Sequence, residues 1–395
     1  MKRSYKTEVN PTEKQKQKIR QTIGTCRFLY NRYIHVNKQL YEAVKHLGMR
    51  HMIKTFMSGY EFDKYVNNVL SKQPEYEWIK DVSSKARKQS IMNAETAYKK
   101  FFNGQSKYPR FKKKNNQDTK IYLPKNNLGD FTIERHRIKV PTLGFIRLKE
   151  KGYIPVNSLV SSGTISIKAN RFYISISVEE AQNKSNVELN ENGIGVDLGI
   201  KEFAVVSNGK VYNNINKSSH ARKLKKKLRR EQRRLSRKYE SKKHRKAGEN
   251  PVTKNINKNV LRVQKIYVKL TNIRHDYVKK TVNELVKTKP AYITIENLNI
   301  KGLMKNKHLS RAIGEQNFYM FTLWLKNKCK QYGIELRQVD RFYPSSKKCN
   351  KCGNIKKDLK LSDREYNCEA CDYKVDRDLG ASINLAETKE YKVLI

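Results

Sequence analysis

The chain has 395 residues, with 85 Lys and Arg against 37 Asp and Glu, a formal charge of +48 and a mean hydropathy of −0.83. That length suggests two or three domains, and no stretch approaches the ~20 consecutive apolar residues of a membrane span. Met1-Lys2-Arg3-Ser4-Tyr5-Lys6 lacks the apolar run of a secretory signal, so a cytoplasmic protein is expected. A cation excess of this size favours a polyanion, because each Lys or Arg set against a phosphate releases condensed counterions.

Arg3-Ser4-Tyr5-Lys6-Thr7-Glu8-Val9 alternates as a short strand does. Asn10-Pro11-Thr12-Glu13 reads as a helix start, with Asn10 as the cap, Pro11 at the first helical position and Glu13 closing a capping box. Ile19, Ile23, Cys26, Leu29 or Tyr30, and Tyr33 keep helical spacing, and helical patterns run on to about Phe102. Lys107-Tyr108-Pro109-Arg110-Phe111-Lys112-Lys113-Lys114 then sets cations beside aromatics, which suits phosphates and stacked bases as well as a plain basic linker. Tyr108, Arg110, Phe111 and Lys112 are its candidate nucleic-acid contacts.

From about Thr119 to Glu180 the pattern changes to short alternating runs: Phe131-Thr132-Ile133, Ile138-Lys139-Val140, Phe145-Ile146-Arg147-Leu148, Thr164-Ile165-Ser166-Ile167 and Phe172-Tyr173-Ile174-Ser175-Ile176. Gly144, Gly152 and Gly163 punctuate them, as in a small antiparallel barrel or sandwich. Residues 182–192 are polar and read as a linker. Three further strands follow, Ile194 to Gly199, Phe203 to Ser207 and Lys210 to Tyr212, then a helical stretch to about Val286.

The first part of that stretch, Lys217 to Lys246, carries sixteen Lys or Arg among thirty residues, with Ala221, Leu224, Leu228 and Leu235 along one seam. Such density exceeds an ordinary solvated face and suits a helix that tracks phosphates, with Lys225, Arg229 and Arg233 as candidate contacts. A helix break is expected from Gly248 to Pro251. The apolar strand Ala291-Tyr292-Ile293-Thr294-Ile295, a helix from about Gln316 to Tyr332, a strand from Ile334 to Val339 and a last helix from about Asp376 complete the order.

Four of six cysteines form Cys349-x2-Cys352 and, after fifteen intervening residues, Cys368-x2-Cys371. That is the spacing of two turns converging on one tetrahedral Zn²⁺, and four protein ligands leave no open position for chemistry. The zinc is therefore expected to be structural, while Cys26 and Cys329 fall on helical patterns as small core residues.

Asp197 interrupts an apolar strand, where a buried carboxylate is costly unless a metal or cation answers it. Glu296 ends a second apolar strand, and Asp376 and Asp378 open the last helix. Strands, helix, strand, helix, strand, helix, with acids in those places, is the layout of an RNase H-like fold. Three converging carboxylates there can hold two Mg²⁺ ions for phosphodiester hydrolysis.

Gly195-Val196-Asp197-Leu198-Gly199-Ile200-Lys201, Ile295-Glu296-Asn297-Leu298, the segment from Phe342 to Gly353 and Asp376-Arg377-Asp378 resemble the TnpB proteins of bacterial insertion sequences, relatives of the compact type V CRISPR effectors. Tyr108-Pro109-Arg110-Phe111 and Cys26-Arg27-Phe28-Leu29-Tyr30-Asn31 extend the resemblance over nearly the whole chain. It implies a multidomain α/β protein: a RuvC-like, RNase H-type nuclease domain with an inserted zinc ribbon, a wedge-type antiparallel β-barrel and a helical recognition domain.

The expected division is 1–10 as first strand of the barrel, 11–118 helical, 119–181 barrel, 182–192 linker, 193–344 nuclease domain, 345–374 zinc ribbon and 375–395 last helix of the nuclease domain. The resemblance further implies an RNA-guided, Mg²⁺-dependent DNA endonuclease of the bacterial cytoplasm and nucleoid. Its guide would be a transposon-encoded RNA, its substrate double-stranded DNA beside a short fixed motif, and its catalytic metal ligands Asp197, Glu296 and Asp378. Gly380-Ala381-Ser382 departs from the family's Asn-Ala-Ala, whereas Asn384 matches a later Asn. The competing readings are a nuclease-inactive RNA-guided repressor and a protein-only transposase or resolvase.

Overall fold

A computed structural model of the chain describes residues 2–44, 46, 55–114, 119–125, 127, 129–180, 188–243, 253–359 and 363–395. The expected break at Gly248 to Pro251 and residues 182–187 of the expected linker lie outside these. The chain divides into two compact units, Met1–Gln182 and Asn183–Ile395.

In the first unit, strand β1 (Lys2–Asn10) leads into α1 (Glu13–Val44). The helix starts two residues later than its sequence suggests. Asn10 is the last residue of β1, paired with Arg147, while the Thr12 hydroxyl accepts from the Gln15 N–H at 3.3 Å and the Gln15 side chain accepts from the Thr12 N–H at 2.9 Å. Thr12 and Gln15 thus form the capping box, and Pro11 stands outside the helix.

Among the described residues, two more α-helices, α2 (Gly59–Asn68) and α3 (Ser84–Phe102), belong to the helical part, with 3-10 turns at Leu70–Lys72 and Pro74–Asp81 between them. The first half of α1 lays Ile19, Ile23 and Cys26 into the core of a sheet, and its second half packs Leu29, Tyr33 and Ile34 against Phe62, Ile91 and Tyr98 of α2 and α3.

That sheet contains β1, β2 (Thr119–Pro124), β3 (Thr132–Ile133), β4 (Arg137–Val140), β5 (Gly144–Leu148), β6 (Leu159–Lys168) and β7 (Arg171–Glu179). Its order is β2-β6-β7-β1-β5-β4-β3, and every pairing is antiparallel. Alternation buries Phe172, Ile174, Ile176 and Val178 on one face of β7, as a half-buried strand requires. Gly163 makes room for the Phe131 ring, which an added Cβ would meet at 2.6 Å.

In the second unit β8 (Ile194–Leu198), β9 (Glu202–Val206) and β10 (Val211–Asn213) form an antiparallel meander. The helices α4 (Ser219–Lys243) and α5 (Thr253–Lys287) follow, and then β11 (Tyr292–Ile295), which joins the free edge of β8 in parallel. Two short helices, α6 (Ile300–Leu303) and α7 (Ser310–Gln316), precede α8 (Phe318–Tyr332). The helix expected from about Gln316 to Tyr332 is α8, and Asn317, left-handed at φ 58°, separates it from α7.

Strand β12 (Glu335–Gln338) adds in parallel to β11, and β15 (Lys392–Val393) closes the order β10-β9-β8-β11-β12-β15. This last strand, two exposed residues long, has too little pattern to be legible in sequence. Between β12 and the helix α9 (Arg377–Glu387) lies a hairpin of β13 (Glu365–Asn367) and β14 (Lys374–Asp376).

The period of two along β8 sorts its faces. Val196 and Leu198 point into the core built with Val282 of α5 and Phe321 and Leu325 of α8, whereas Gly195 and Asp197 face α9. The seam of α4 puts Leu228, flanked by Leu224 and Leu235, on Val263, Ile266 and Leu270 of α5.

Candidate active site and cysteine cluster

Asp197 and Glu296 meet through strand register. Ile295 of β11 pairs with Val196 of β8, so the next residues along the two parallel strands, Glu296 and Asp197, come side by side. Asp378 reaches them from the first turn of α9, which lies directly on β8. Only glycine permits that approach, because a Cβ on Gly195 would stand 1.9 Å from the Ser382 carbonyl oxygen and 2.5 Å from the Ala386 nitrogen. Asp376 plays a different part. Its Oδ1 accepts from the backbone N–H groups of Asp378 and Leu379, both at 3.0 Å, and so caps the helix.

The electrostatics follow from this crowding. Burial first, then the charges of Glu296 and Asp378, push the Asp197 carboxyl well above the usual range, against the pull of Arg377. Burial also raises Glu296, opposed by the Ser345 hydroxyl and Arg377 and reinforced by Asp378. Three carboxylates gathered in this way, with Arg377 beside Asp378 at 3.8 Å as a nearby cation, form a donor set suited to a hard divalent metal. They sit on three separate elements. Among the described residues, only the four cysteines bring three or more candidate ligand atoms within 4.8 Å of one another.

Two residues to which sequence reasoning gives no site role hold this arrangement. The Ser345 hydroxyl donates to Glu296 Oε1, and Asn384 Nδ2 on α9 donates to the carbonyls of Ser345 and Lys348, both at 2.7 Å. Asn384 is legible only as a family match, and a serine in a loop carries no signal of its own until the loop is folded onto Glu296.

In the cysteine cluster, Cys349 Sγ lies 3.7 Å from Cys371 Sγ, and Cys352 Sγ lies 3.5 Å from Cys368 Sγ. A tetrahedron with zinc–sulfur bonds of ~2.3 Å has edges of about 3.8 Å, so the thiols fit a structural zinc. The two turns are built alike. Gly353 N–H donates to the Cys349 carbonyl at 3.0 Å with φ 77°, and Asp372 N–H donates to the Cys368 carbonyl at 3.1 Å with φ 51°. Burial opposes ionisation of Cys368, yet N–H groups of Ala370 and Cys371 and the neighbouring thiols bring it down to about 6, towards the thiolate a metal needs. Cys26 and Cys329 are buried in separate cores, as expected.

The candidate nucleic-acid contacts divide. Arg110, Phe111, Arg229 and Arg233 are exposed. Tyr108 is not free to stack on a base: its ring packs against Tyr41, Tyr98 and Phe101, and its hydroxyl shares a 3.1 Å hydrogen bond with that of Tyr98. Lys112 places its ammonium 3.7 Å from the centre of the Tyr30 ring and anchors its backbone on Asn31. Lys225 is paired with Glu315, which also receives Arg274 and Arg311, so its charge braces the base of α4. These three residues answer structural needs that alternation and charge density do not reveal.

Three family models match the chain. The OrfB_IS605 model described as "Probable transposase" covers residues 175–307, the OrfB_IS605 "Helix-turn-helix domain" covers 1–46, and "Cas12f1-like, TNB domain" covers 318–385. The last spans both the cysteine cluster and Asp378. Escherichia coli (strain K12) carries a relative named "Putative RNA-guided DNA endonuclease InsQ", 28% identical over 97% of this chain and 91% of that protein. A "Putative RNA-guided DNA endonuclease" of Streptomyces pristinaespiralis is 26% identical over 98% of this chain and 89% of its own length. The fold is similar to a chain of a cryo-EM structure of a Cas12f1–sgRNA–target DNA complex, with a TM-score of 0.56, 14% identity and 99% coverage of both chains. Along most of its length the chain is thus similar to OrfB proteins of IS605-type insertion sequences and to proteins named as RNA-guided DNA endonucleases.

Proposed function

We propose that this protein is an RNA-guided DNA endonuclease whose nuclease centre is Asp197, Glu296 and Asp378. The observation that carries the reading is the convergence of these acids from β8, the end of β11 and the start of α9, where Glu296 and Asp378 raise the proton affinity of Asp197 and Asp378 raises that of Glu296. The sheet order β10-β9-β8-β11-β12, antiparallel and then parallel, agrees with an RNase H-like, RuvC-type domain. Full-length relatives named as RNA-guided DNA endonucleases supply the substrate class.

Divalent metal held by the three carboxylates would supply charge stabilisation and activate water for phosphodiester hydrolysis. The chain's own groups prepare that site. Ser345 orients Glu296, Asp376 fixes the first turn of α9 that carries Asp378, and Arg377 tempers the accumulated negative charge. The cysteine ribbon would hold one structural zinc and, through Asn384, tie the Ser345 loop to α9. Guide–target pairing would read sequence, and the exposed cations of α4, Arg229 and Arg233 among them, would contact phosphates.

The test is to purify the protein in high salt, sequence the retained RNA and offer DNA complementary to its variable end in Mg²⁺. A discrete RNA and cutting that depends on complementarity are expected. Heterogeneous RNA, or cutting indifferent to complementarity, contradicts the reading.

A further inference from the structure

Phe342 is 83% exposed, more than any other large hydrophobic side chain among the described residues. It does not sit on a loose loop. Its N–H donates to Asp340 Oδ1 at 2.9 Å, the Tyr343 N–H donates to the Asp340 carbonyl at 3.2 Å, and the Tyr343 hydroxyl reaches the Asn384 carbonyl at 3.3 Å. The ring is thus held out in solvent by a braced turn.

Its surroundings suit a nucleobase better than an apolar protein surface. The Arg341 guanidinium lies 5.5 Å from the ring centre, a planar cation beside a planar ring. One cavity of about 450 Å³ runs from Arg341 and Tyr343 to Glu296, and another of about 550 Å³ joins Phe342 to Asn297 and Lys392. Three residues after Phe342, Ser345 donates to Glu296. Asp340, two residues before Phe342, spends its carboxylate on the turn, and Glu390 lines the second cavity together with Lys392. A single aromatic with a neighbouring guanidinium is the arrangement on which an unstacked base settles, because every base has a π-face and the adjoining phosphate needs a cation.

We infer that Phe342, with Arg341, is a base-stacking platform that seats one nucleotide of the single-stranded segment entering the acid site. Phe342 is a positioning residue: it aligns the strand and takes no part in bond making or breaking. The inference rests on the endonuclease reading above and deepens it.

The experiment compares wild type, Phe342→Ala and Phe342→Trp, each with its bound RNA, on complementary DNA carrying single abasic sites near the cut. Phe342→Ala is expected to slow single-turnover cutting about 5- to 100-fold, the range a lost base–aromatic stack gives. RNA retention and target binding should be unchanged, and Phe342→Trp should cut as wild type does. One abasic position should slow wild type by a similar factor and leave Phe342→Ala unaffected.

Equal rates for wild type and Phe342→Ala overturn the inference, as does weaker RNA retention in Phe342→Ala. A wild type that cuts nothing contradicts the endonuclease reading instead. The platform is then read from a single-stranded oligonucleotide containing 2-aminopurine, whose quenching should disappear in Phe342→Ala; equal quenching in both overturns it.

Discussion

The cysteine cluster and the carboxylate cluster are both gatherings of like ligands in the second unit, yet they are assembled by opposite means. Four thiols come together through two short turns, each closed by its own N–H to carbonyl hydrogen bond, so the cluster is a local product of the chain between 349 and 372. The three acids share no local segment. They meet because β11 adds to β8 in one register and because a glycine lets α9 settle on β8. A set closed by turns suits a resident structural metal, and one assembled by packing is sensitive to anything that moves a strand or a helix.

Breaking the local cluster should have the largest effect. Structural zinc binding contributes about 10–16 kcal/mol in small zinc-dependent folds, so Cys352→Ser should unfold the ribbon. Rapid proteolysis between 349 and 371 and loss of DNA cutting are expected, since Ser345 and Asn384 lose their shared support. Intact ribbon fragments in Cys352→Ser would show that the thiols are not what holds this segment.

Gly195→Ala should come next. Its methyl group would overlap the Ser382 carbonyl, and overpacking costs typically about 1–3 kcal/mol, occasionally more. Urea denaturation should register that loss, and cutting should fall further than stability explains because Asp378 is displaced.

Asp197→Asn sharpens the comparison from the other side, since this change should stabilise the metal-free protein while removing cutting. The folded-state pKa of Asp197 lies above its unfolded value of about 3.9, so the folded state binds the proton more tightly. Its contribution favours folding at low pH, declines as pH rises from about 4 through the raised value, and is absent above it, where ionisation is resisted by burial and by Glu296. In chelator, wild type should therefore lose melting temperature as pH rises through that window, and Asp197→Asn should lose less. Added Mg²⁺ should raise the wild-type melting temperature at neutral pH and leave the variant where it is. Identical pH profiles would refute the assigned environment of Asp197.

Gly380→Ala should have the smallest effect. An added Cβ meets Val375 at 3.0 Å and Asn350 at 3.1 Å, and that crowding offsets a helix-propensity gain of up to about 1 kcal/mol. A change within about 1 kcal/mol in either direction is expected by denaturation. The departure from Asn-Ala-Ala thus has a physical reason: the Asn350 side chain donates to the Gly380 carbonyl at 2.9 Å, bringing the first cysteine turn close against α9.

The same contrast explains what can be read from sequence. Ligand spacing exposes Cys349, Cys352, Cys368 and Cys371 because their cluster is local. Alternation exposes β7, whose buried and half-exposed residues follow the pleat. Asp197 is visible as a charge in an apolar run. Ser345 is not, because its role depends on a hydrogen bond across 49 residues of chain. Thr12, rather than Asn10, caps α1 because β1 extends through Asn10 to pair with Arg147, and nothing in a four-residue window reports that pairing. Tyr108 and Lys225 carry the right chemistry for nucleic acid, but Tyr98 and Glu315 claim them first.

The central claim is most directly tested by single-turnover cutting of complementary DNA by RNA-loaded wild type, Asp197→Ala, Glu296→Ala, Asp378→Ala and Asp376→Ala. The first three variants should retain RNA and bind target while cutting at least about 1000-fold more slowly, as loss of a catalytic metal ligand implies. Asp376→Ala should lose a helix cap, about 1 kcal/mol of stability, and keep measurable cutting. Undiminished cutting by Asp197→Ala, Glu296→Ala or Asp378→Ala would contradict the account.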